Sequence, residues 1–356
     1  MPTFIIAEAG VNHNGDRRLA EQLIDIAAEA GANAVKFQTF QAQQLVSRHA
    51  AKAQYQTQTT EPTESQLDMI RKLELTASDH QALIHHAQRR GIEFLSTPFD
   101  VPSLRLLTGE LGLKTIKIPS GEITNAPFLL EIARIAERVI LSTGMSTLAE
   151  VEAALGVLAF GFTGSQELTH PSNFVKTFAS VVGQRQLQER VTLLHCTTEY
   201  PAPFTEVNLR AMDTLASAFG LPVGYSDHTS GIHVAIAAVA RGARIVEKHF
   251  TCDRTLPGPD HRASLEPQEL SELVRQIRDV EQSLGDGVKS PTISEWKNRD
   301  AARKSLVAAV EIEEGEVFTS ENVTCKRPGT GVSPVNFWDY LGEASKKSYE
   351  ADDLIL

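Results

Sequence analysis

The runs "PVGYSDH" (222–228) and "RIVEKHF" (244–250), with "SGIHVAIAAVARGA" (230–243) between them, decide how this chain folds. Each run is short, β-branched or aromatic in character, and carries a histidine at its end; the stretch between has the period of a helix. Strand, helix and strand in that order make a parallel pair, so His228 and His249 project from one rim. Two neutral imidazoles side by side suit a divalent metal, and that rim is where barrel enzymes carry out chemistry. A histidine satisfied within a packed core is the plain alternative, and spacing alone leaves both open.

Six more runs of the same kind precede this pair: "FIIAEAG" (4–10), "AVKFQTF" (34–40), "EFLSTPF" (93–99), "TIKIPSG" (115–121), "RVILSTG" (138–144) and "VTLLHCT" (191–197). Helical patterns alternate with them. "RRLAEQLIDIAAEAGA" (17–32) puts Leu19, Leu23, Ile26 and Ala27 on one face, and "SLEPQELSELVRQIRDVEQSL" (264–284) offers Ser264 and Glu266-Pro267 as a helix start. Eight β-then-α units over residues 1–285 predict an α/β chain of the (β/α)8 TIM-barrel class. A doubly wound open sheet would need a glycine-rich phosphate loop after the first strand, and "GVNHNG" (10–15) lacks that spacing.

Two stretches interrupt the alternation. Residues 41–66 are rich in Gln and Thr and contain no Gly, which predicts a long loop over the barrel mouth leading into a helix at "SQLDMIRKLEL" (65–75). Residues 161–189 predict a partly helical surface excursion. Past the eighth helix, 286–302 is polar and reads as a linker. Residues 303–356 show short alternating runs broken by Gly and Pro, a small β-rich domain near the lower size limit for a core of its own.

Composition narrows the function classes. The 356 residues are 42% hydrophobic, enough for a large core, and the formal charge of −11 without a basic run argues against nucleic acid as a partner. Three scattered cysteines give no disulfide framework and no CxxC zinc knuckle. The chain has no basic n-region with an apolar core and no run of 18 apolar residues, so the reading is a cytoplasmic protein without a membrane partner.

Only the carboxyl ends of barrel strands face an active site, and these ends are crowded with polar groups. They carry Glu8, Lys36 with Gln38, Ser96 with Thr97, Lys117 with Ser120 and Glu122, Thr143, Cys196 with Thr197, Ser226 with His228, and Lys248 with His249. Lys36, Lys117, Thr97, Ser120 and Ser226 together make an anion cradle for phosphate or carboxylate. Lysines snorkelling to solvent are the alternative, and strands as apolar as "VKF" and "IKI" place them poorly for that. Glu8 and Glu122 are the carboxylates placed to hold a substrate hydroxyl or move a proton, or else to pair with those lysines. Cys196 reads as a packed small residue.

At this level of detail the chain resembles the sialic acid (nonulosonic acid) synthases. The likeness runs in order through "FIIAEAGVNHNGD", "GANAVKFQTF", "STPFD", "KIPSGE", "STGM", "LHCTTEYPAPF", "GYSDHTSG" and "EKHFT…GPDHRASL". The tail, with "ARKSLVAAV" and "KRPGTGVSP", is similar to the SAF (antifreeze-like) domain of those enzymes. The resemblance implies a condensation of phosphoenolpyruvate with an N-acylated mannosamine-type sugar and water, giving a nine-carbon 2-keto acid and phosphate. By the same resemblance, His228 and His249 bind Mn²⁺ (or Mg²⁺), and Lys36, Thr97, Lys117, Ser120 and Ser226 hold phosphoenolpyruvate. Gln38, Glu122, Tyr200 and Asp260 face the sugar, and Arg327 reaches its acyl group from the neighbouring subunit of a domain-swapped homodimer. Glu122, Lys36, Lys117 and Glu8 are the implied catalytic residues, with Glu122 or a metal-bound hydroxide activating water.

One departure bears on the sugar. Where family members carry "YQxxNTG" after the second strand, this chain reads "YQTQTTEPTESQ" (55–66), with Thr59, Thr60 and Glu61 in place of Asn-Thr-Gly. N-acetylmannosamine, giving N-acetylneuraminate, is the first expectation; a 2,4-diacetamido-2,4,6-trideoxymannose, giving N,N'-diacetyllegionaminate, stays open beside it. A 3-deoxy-2-ulosonate phosphate synthase is a rival, but no further Arg/Lys cluster is present to hold a sugar phosphate. A non-catalytic carbohydrate- or ice-binding protein would not need a rim of Lys, Glu and His.

Overall fold

A computed structural model describes residues 2–47, 50 and 64–356. The chain divides into two compact units, Met1–Gly285 and Asp286–Leu356. In the first, eight parallel strands follow one another: β1 (Phe4–Gly10), β2 (Ala34–Thr39), β3 (Glu93–Pro98), β4 (Thr115–Ile118), β5 (Arg138–Ser142), β6 (Val191–Cys196), β7 (Val223–Asp227) and β8 (Ile245–His249). They neighbour one another in the order β3-β2-β1-β8-β7-β6-β5-β4, and β3 lies against β4 to close a (β/α)8 barrel. All eight predicted strands are present, each ending a residue or more earlier than, or level with, the run that announced it.

Strand alternation splits each run between two environments. Outward residues such as Ile5, Val35, Phe37, Leu141, Leu193 and Val246 pack under the helices. Inward residues build layers along the barrel axis. The lowest, Ile6, Ala34, Leu95, Ile140, Leu194 and Ile245, is a dry apolar plug. Two residues further along the strands, the same inward positions become Glu8, Lys36, Thr97, Ser142, Cys196 and Glu247. The plug closes one end, so these polar groups can open only toward the C-terminal rim.

Helix Arg17–Glu29 is held by Asp16, whose side chain accepts from the amide of Arg18. It buries Ala20, Leu23, Ile24 and Ala27, a face rotated from the predicted one; Leu19 and Ile26 are only half-buried. Helix Pro267–Ser283 starts as predicted at Glu266-Pro267, with a capping box between Glu266 and Glu269; Ser264 instead donates to the carbonyl of Asp260. In the 161–189 region, helices Pro171–Phe178 and Val181–Arg190 follow helix Leu148–Phe162. That helix is apolar on nearly every side and therefore needs cover on both. Phe174 supplies it, meeting Phe160 edge-on at 5.2 Å, and the missing side chain of Gly156 admits the Phe174 carbonyl.

The second unit pairs strands β9 (Ser305–Ala308) and β10 (Val323–Lys326) antiparallel over a core of Leu306, Ile312, Phe318, Val323, Tyr349 and Ile355. The 286–302 stretch, predicted as a linker, contains a regular helix, Ile293–Ala302, with a capping box between Thr292 and Glu295. Its polarity reflects solvent on most faces and not a lack of structure: no residue of this helix is buried. Among the described residues, no helix is long and apolar enough to cross a membrane.

Candidate active site

An ionic layer lies directly on the apolar plug. Lys36 Nζ stands 2.7 Å from Glu8 Oε2, 3.0 Å from Thr97 Oγ1 and 3.6 Å from Glu247 Oε2. Lys117 Nζ donates to Glu247 Oε1 at 3.1 Å, and Ser226 Oγ donates to the same oxygen at 2.9 Å. All six side chains are buried. Burial works against the charge of Glu247, but Lys117 and Lys36 overcome it and hold its carboxyl below the usual carboxylate range. Glu8 behaves oppositely. Burial, helped by the like charge of Glu247, outweighs Lys36 and raises it to about 7. Burial alone would lower Lys36; Glu247 and Glu8 reverse that and leave it raised. Two lysines thus face one carboxylate held in its charged form and one carboxyl pushed toward its neutral form, which biases the floor toward positive charge. Such a floor receives an anion.

His228 and His249 stand above this layer with ring centroids 5.7 Å apart. His228 Nδ1 donates to the Thr197 carbonyl at 2.6 Å, which leaves the Nε2 lone pair facing Ser226 Oγ at 3.5 Å. His249 Nδ1 is buried and has no hydrogen-bond partner among the described residues. Burial lowers His228 to about 4 and His249 well below the imidazole range, so both rings are neutral at pH 7. Two neutral, partly unsatisfied imidazoles at this spacing fit a divalent cation that tolerates nitrogen. Among the described residues no third His, Cys, Asp or Glu joins them, so the remaining positions would fall to water or substrate.

A cavity of about 270 Å³ opens over the floor and the histidines. Tyr200 stacks near His228 at 4.2 Å and meets His249 edge-on at 5.7 Å. Gln38 and Asp260 line the same space, and burial raises Asp260 to about 6. Gly10, with φ +53° at the irregular end of β1, leaves room where a Cβ would lie 3.4 Å from Glu8 Oε1, Gln38 Nε2 and His249 Cε1. Ser120 Oγ accepts from the Gly144 amide at 2.9 Å. A side chain at Gly144 would strike Thr198, Ser120 and Cys196, all within 2.9 Å of its Cβ.

The structure thus gathers Glu8, Lys36, Gln38, Thr97, Lys117, Ser120, Tyr200, Ser226, His228, His249 and Asp260 around one cavity. Glu122 is not among its lining residues; it sits half-buried in the turn Ser120–Glu122, accepting from Asn125 Nδ2 at 2.7 Å. Arg327 belongs to the small unit, where its Nε donates to the Ala302 carbonyl. Thr59, Thr60 and Glu61 lie outside the described residues. Lys248 and Thr143, predicted at the rim, face away: Lys248 pairs with Asp227 at 2.9 Å outside the barrel wall, and Thr143 donates to the Leu194 carbonyl. Glu247 and Ser142 take part instead. Both could have been found by parity, since Glu247 shares the face of His249 and Ser142 that of Ile140.

A closed barrel with a buried cationic floor at its C-terminal mouth, roofed by paired imidazoles, defines an enzyme for a small acidic substrate. The chain belongs to the NeuB family, which residues 23–289 match, while residues 303–356 match the SAF domain. It is 53% identical to the N,N'-diacetyllegionaminic acid synthase of Campylobacter jejuni over 99% of this chain and 98% of that protein. It is 44% identical to the synthase of the same description from Legionella pneumophila, over 100% of this chain and 94% of the other. Among solved structures, an N-acetylneuraminic acid (sialic acid) synthetase from Leptospira borgpetersenii superposes with a TM-score of 0.66 at 35% identity, covering 84% of this chain and 90% of that one. The protein is a phosphoenolpyruvate-dependent synthase that forms a carbon–carbon bond.

Proposed function

We propose that the chain condenses phosphoenolpyruvate with 2,4-diacetamido-2,4,6-trideoxymannose and water, giving N,N'-diacetyllegionaminate and phosphate. The observation that carries the reading is the buried floor of Lys36, Lys117, Thr97 and Ser226, closed on one side by an apolar plug. The choice of sugar is supported by the identities of 53% and 44% to diacetyllegionaminic acid synthases. N-acetylmannosamine, the first expectation from sequence, is supported by lower likeness, such as the 35% identity to the sialic acid synthetase. It becomes the second reading.

In the proposed reaction Lys36 and Lys117 hold the phosphate and carboxylate of phosphoenolpyruvate, with Thr97, Ser120 and Ser226 completing its hydrogen bonds. Gln38, Tyr200 and Asp260 orient the sugar so that its aldehyde carbon meets carbon 3 of phosphoenolpyruvate. As that bond forms, the aldehyde oxygen gains a negative charge and carbon 2 becomes cationic. Glu8, pushed by burial toward its protonated form, gives its proton to that oxygen; ionised, it then accepts the proton of the water that adds to carbon 2. The bond from carbon 2 to the bridging oxygen then breaks. The proton of the new carbon 2 hydroxyl passes to the departing phosphate, whose remaining charge is met by the two lysines, and carbon 2 becomes the ketone of the product. A Mn²⁺ (or Mg²⁺) ion on His228 and His249 would supply Lewis-acid polarisation of the aldehyde oxygen. Arg327 is assigned to the sugar's acyl group, reached from the partner in a domain-swapped dimer.

The test is phosphate release from phosphoenolpyruvate and Mn²⁺ with each of three acceptors: the diacetamido sugar, N-acetylmannosamine and arabinose 5-phosphate. The diacetamido sugar should give the highest kcat/KM. Bridging-¹⁸O phosphoenolpyruvate should deliver its label to phosphate. Turnover with arabinose 5-phosphate alone, or label retained in the keto acid, would overturn the proposal.

A further inference from the structure

Among the described residues, those lining the side of the cavity that follows β2 and β3 carry no charge. It is built by Phe40, Leu45, Met69, Ile70, Leu73 and Phe99, with Phe40 and Phe99 edge-to-face at 6.2 Å. Phe40, Met69 and Leu73 are buried beneath it, whereas Leu45, Ile70 and Phe99 are half-buried. Clusters of this size often only glue a long loop to its barrel. This one differs because all six members border the same cavity as the ionic floor. The polar groups available to a sugar, Gln38, Tyr200 and Asp260, arise instead from the ends of β2 and β6 and from the loop after β8.

We infer that this apolar wall selects the sugar by its methyl groups, favouring a 6-deoxy, 4-acylamido hexose over hexoses with a free or phosphorylated hydroxymethyl. The inference rests on the condensation proposed above and adds the residues that discriminate within it. Mannosamine carries hydroxyls at carbons 4 and 6, where the proposed sugar carries an acetamido methyl and a bare methyl. A hydroxyl set against Leu45, Ile70 or Phe99 gives up water and gains no partner, while a methyl group sheds unfavourable hydration. A phosphate there fares worse. Among the described lining residues the lysines are Lys36 and Lys117, and both belong to the floor.

The experiment compares kcat/KM for N-acetylmannosamine, its 6-deoxy analogue, its 6-phosphate and the diacetamido sugar, with phosphoenolpyruvate saturating. In the parent the 6-deoxy analogue should exceed N-acetylmannosamine by about 10–200-fold, the range for one apolar group in a fitted pocket. The 6-phosphate should be the poorest of the four. Leu45→Asn and Ile70→Thr, at half-buried positions, should each cut the 6-deoxy preference by roughly tenfold. KM for phosphoenolpyruvate, held on the floor, serves as the check that the site is intact. If Leu45→Asn loses phosphoenolpyruvate binding, Ile70→Thr carries the comparison. Preferences unchanged in an intact variant would overturn the wall and leave the condensation standing. Parent enzyme that turns over no N-acylated sugar would sink both.

Discussion

Replacing Glu247 by glutamine removes one buried negative charge at nearly constant shape, and the structure allows its cost to be worked out. The carboxylate lies 3.1 Å from Lys117 Nζ and 3.6 Å from Lys36 Nζ. At an effective dielectric near 20, a pair about 3 Å apart is worth roughly 5 kcal/mol before desolvation. Lys36 is not stranded by the change, because Glu8 remains 2.7 Å away. Without the like charge of Glu247, Glu8 ionises more readily and takes over as its counter-ion. Among the described residues Lys117 pairs with no second carboxylate, and breaking one side of a buried pair costs about 3–5 kcal/mol. Glu247→Gln should therefore lose about 3–5 kcal/mol of stability. Phosphoenolpyruvate restores the missing negative charge beside Lys117, so it should stabilise the variant more than the parent. Urea unfolding of the full chain, with and without phosphoenolpyruvate, reads both effects. A loss under about 1 kcal/mol, or equal stabilisation of the two proteins, would refute the charge assignment of the floor.

Three further outcomes follow from the same geometry. Glu8 is raised to about 7, so below that pH it is neutral and above it repels an incoming anion. Metal-free affinity for phosphoenolpyruvate should therefore weaken as pH rises through 7, by at most about tenfold per unit, and Glu8→Gln should flatten that slope; identical calorimetric profiles would contradict it. His249→Ala should lower bound Mn²⁺, read by elemental analysis, and depress kcat more than it weakens phosphoenolpyruvate binding, whereas unchanged metal content with full activity would exclude His249 as a ligand. Arg327→Ala should chiefly raise KM for the sugar, and mixing it with Lys117→Ala should recover part of the activity; no recovery after demonstrated subunit exchange would exclude sharing between subunits.

The fold was legible because its signals are local and repeated. β-branched runs bounded by Gly, Pro or Ser, alternating with helical periods, need no knowledge of what packs where. Parts of the site were legible for the same reason. Lys36 inside "VKF" and Lys117 inside "IKI" stand out against apolar strands, and His228 and His249 end successive ones. The helical character of the 161–189 excursion was legible too, but its role was not, because its work is to cover an apolar helix that precedes it in the chain.

By itself, then, the sequence determined the eight-stranded barrel, its small β-rich companion and the chemical inventory of the rim. Periodicity and composition act through neighbours along the chain, and neighbours are what a sequence displays. Strand parity puts Glu247 on the face of His249 and Ser142 on that of Ile140, and only the closed barrel made that face, not the one carrying Lys248 and Thr143, the inner one. It also set the direction in which each group's protonation is pushed, with Glu247 held low, Glu8 raised and both imidazoles lowered. Burial and through-space Coulomb terms between strands far apart in the chain set those directions, and closing the barrel is what brings the strands together.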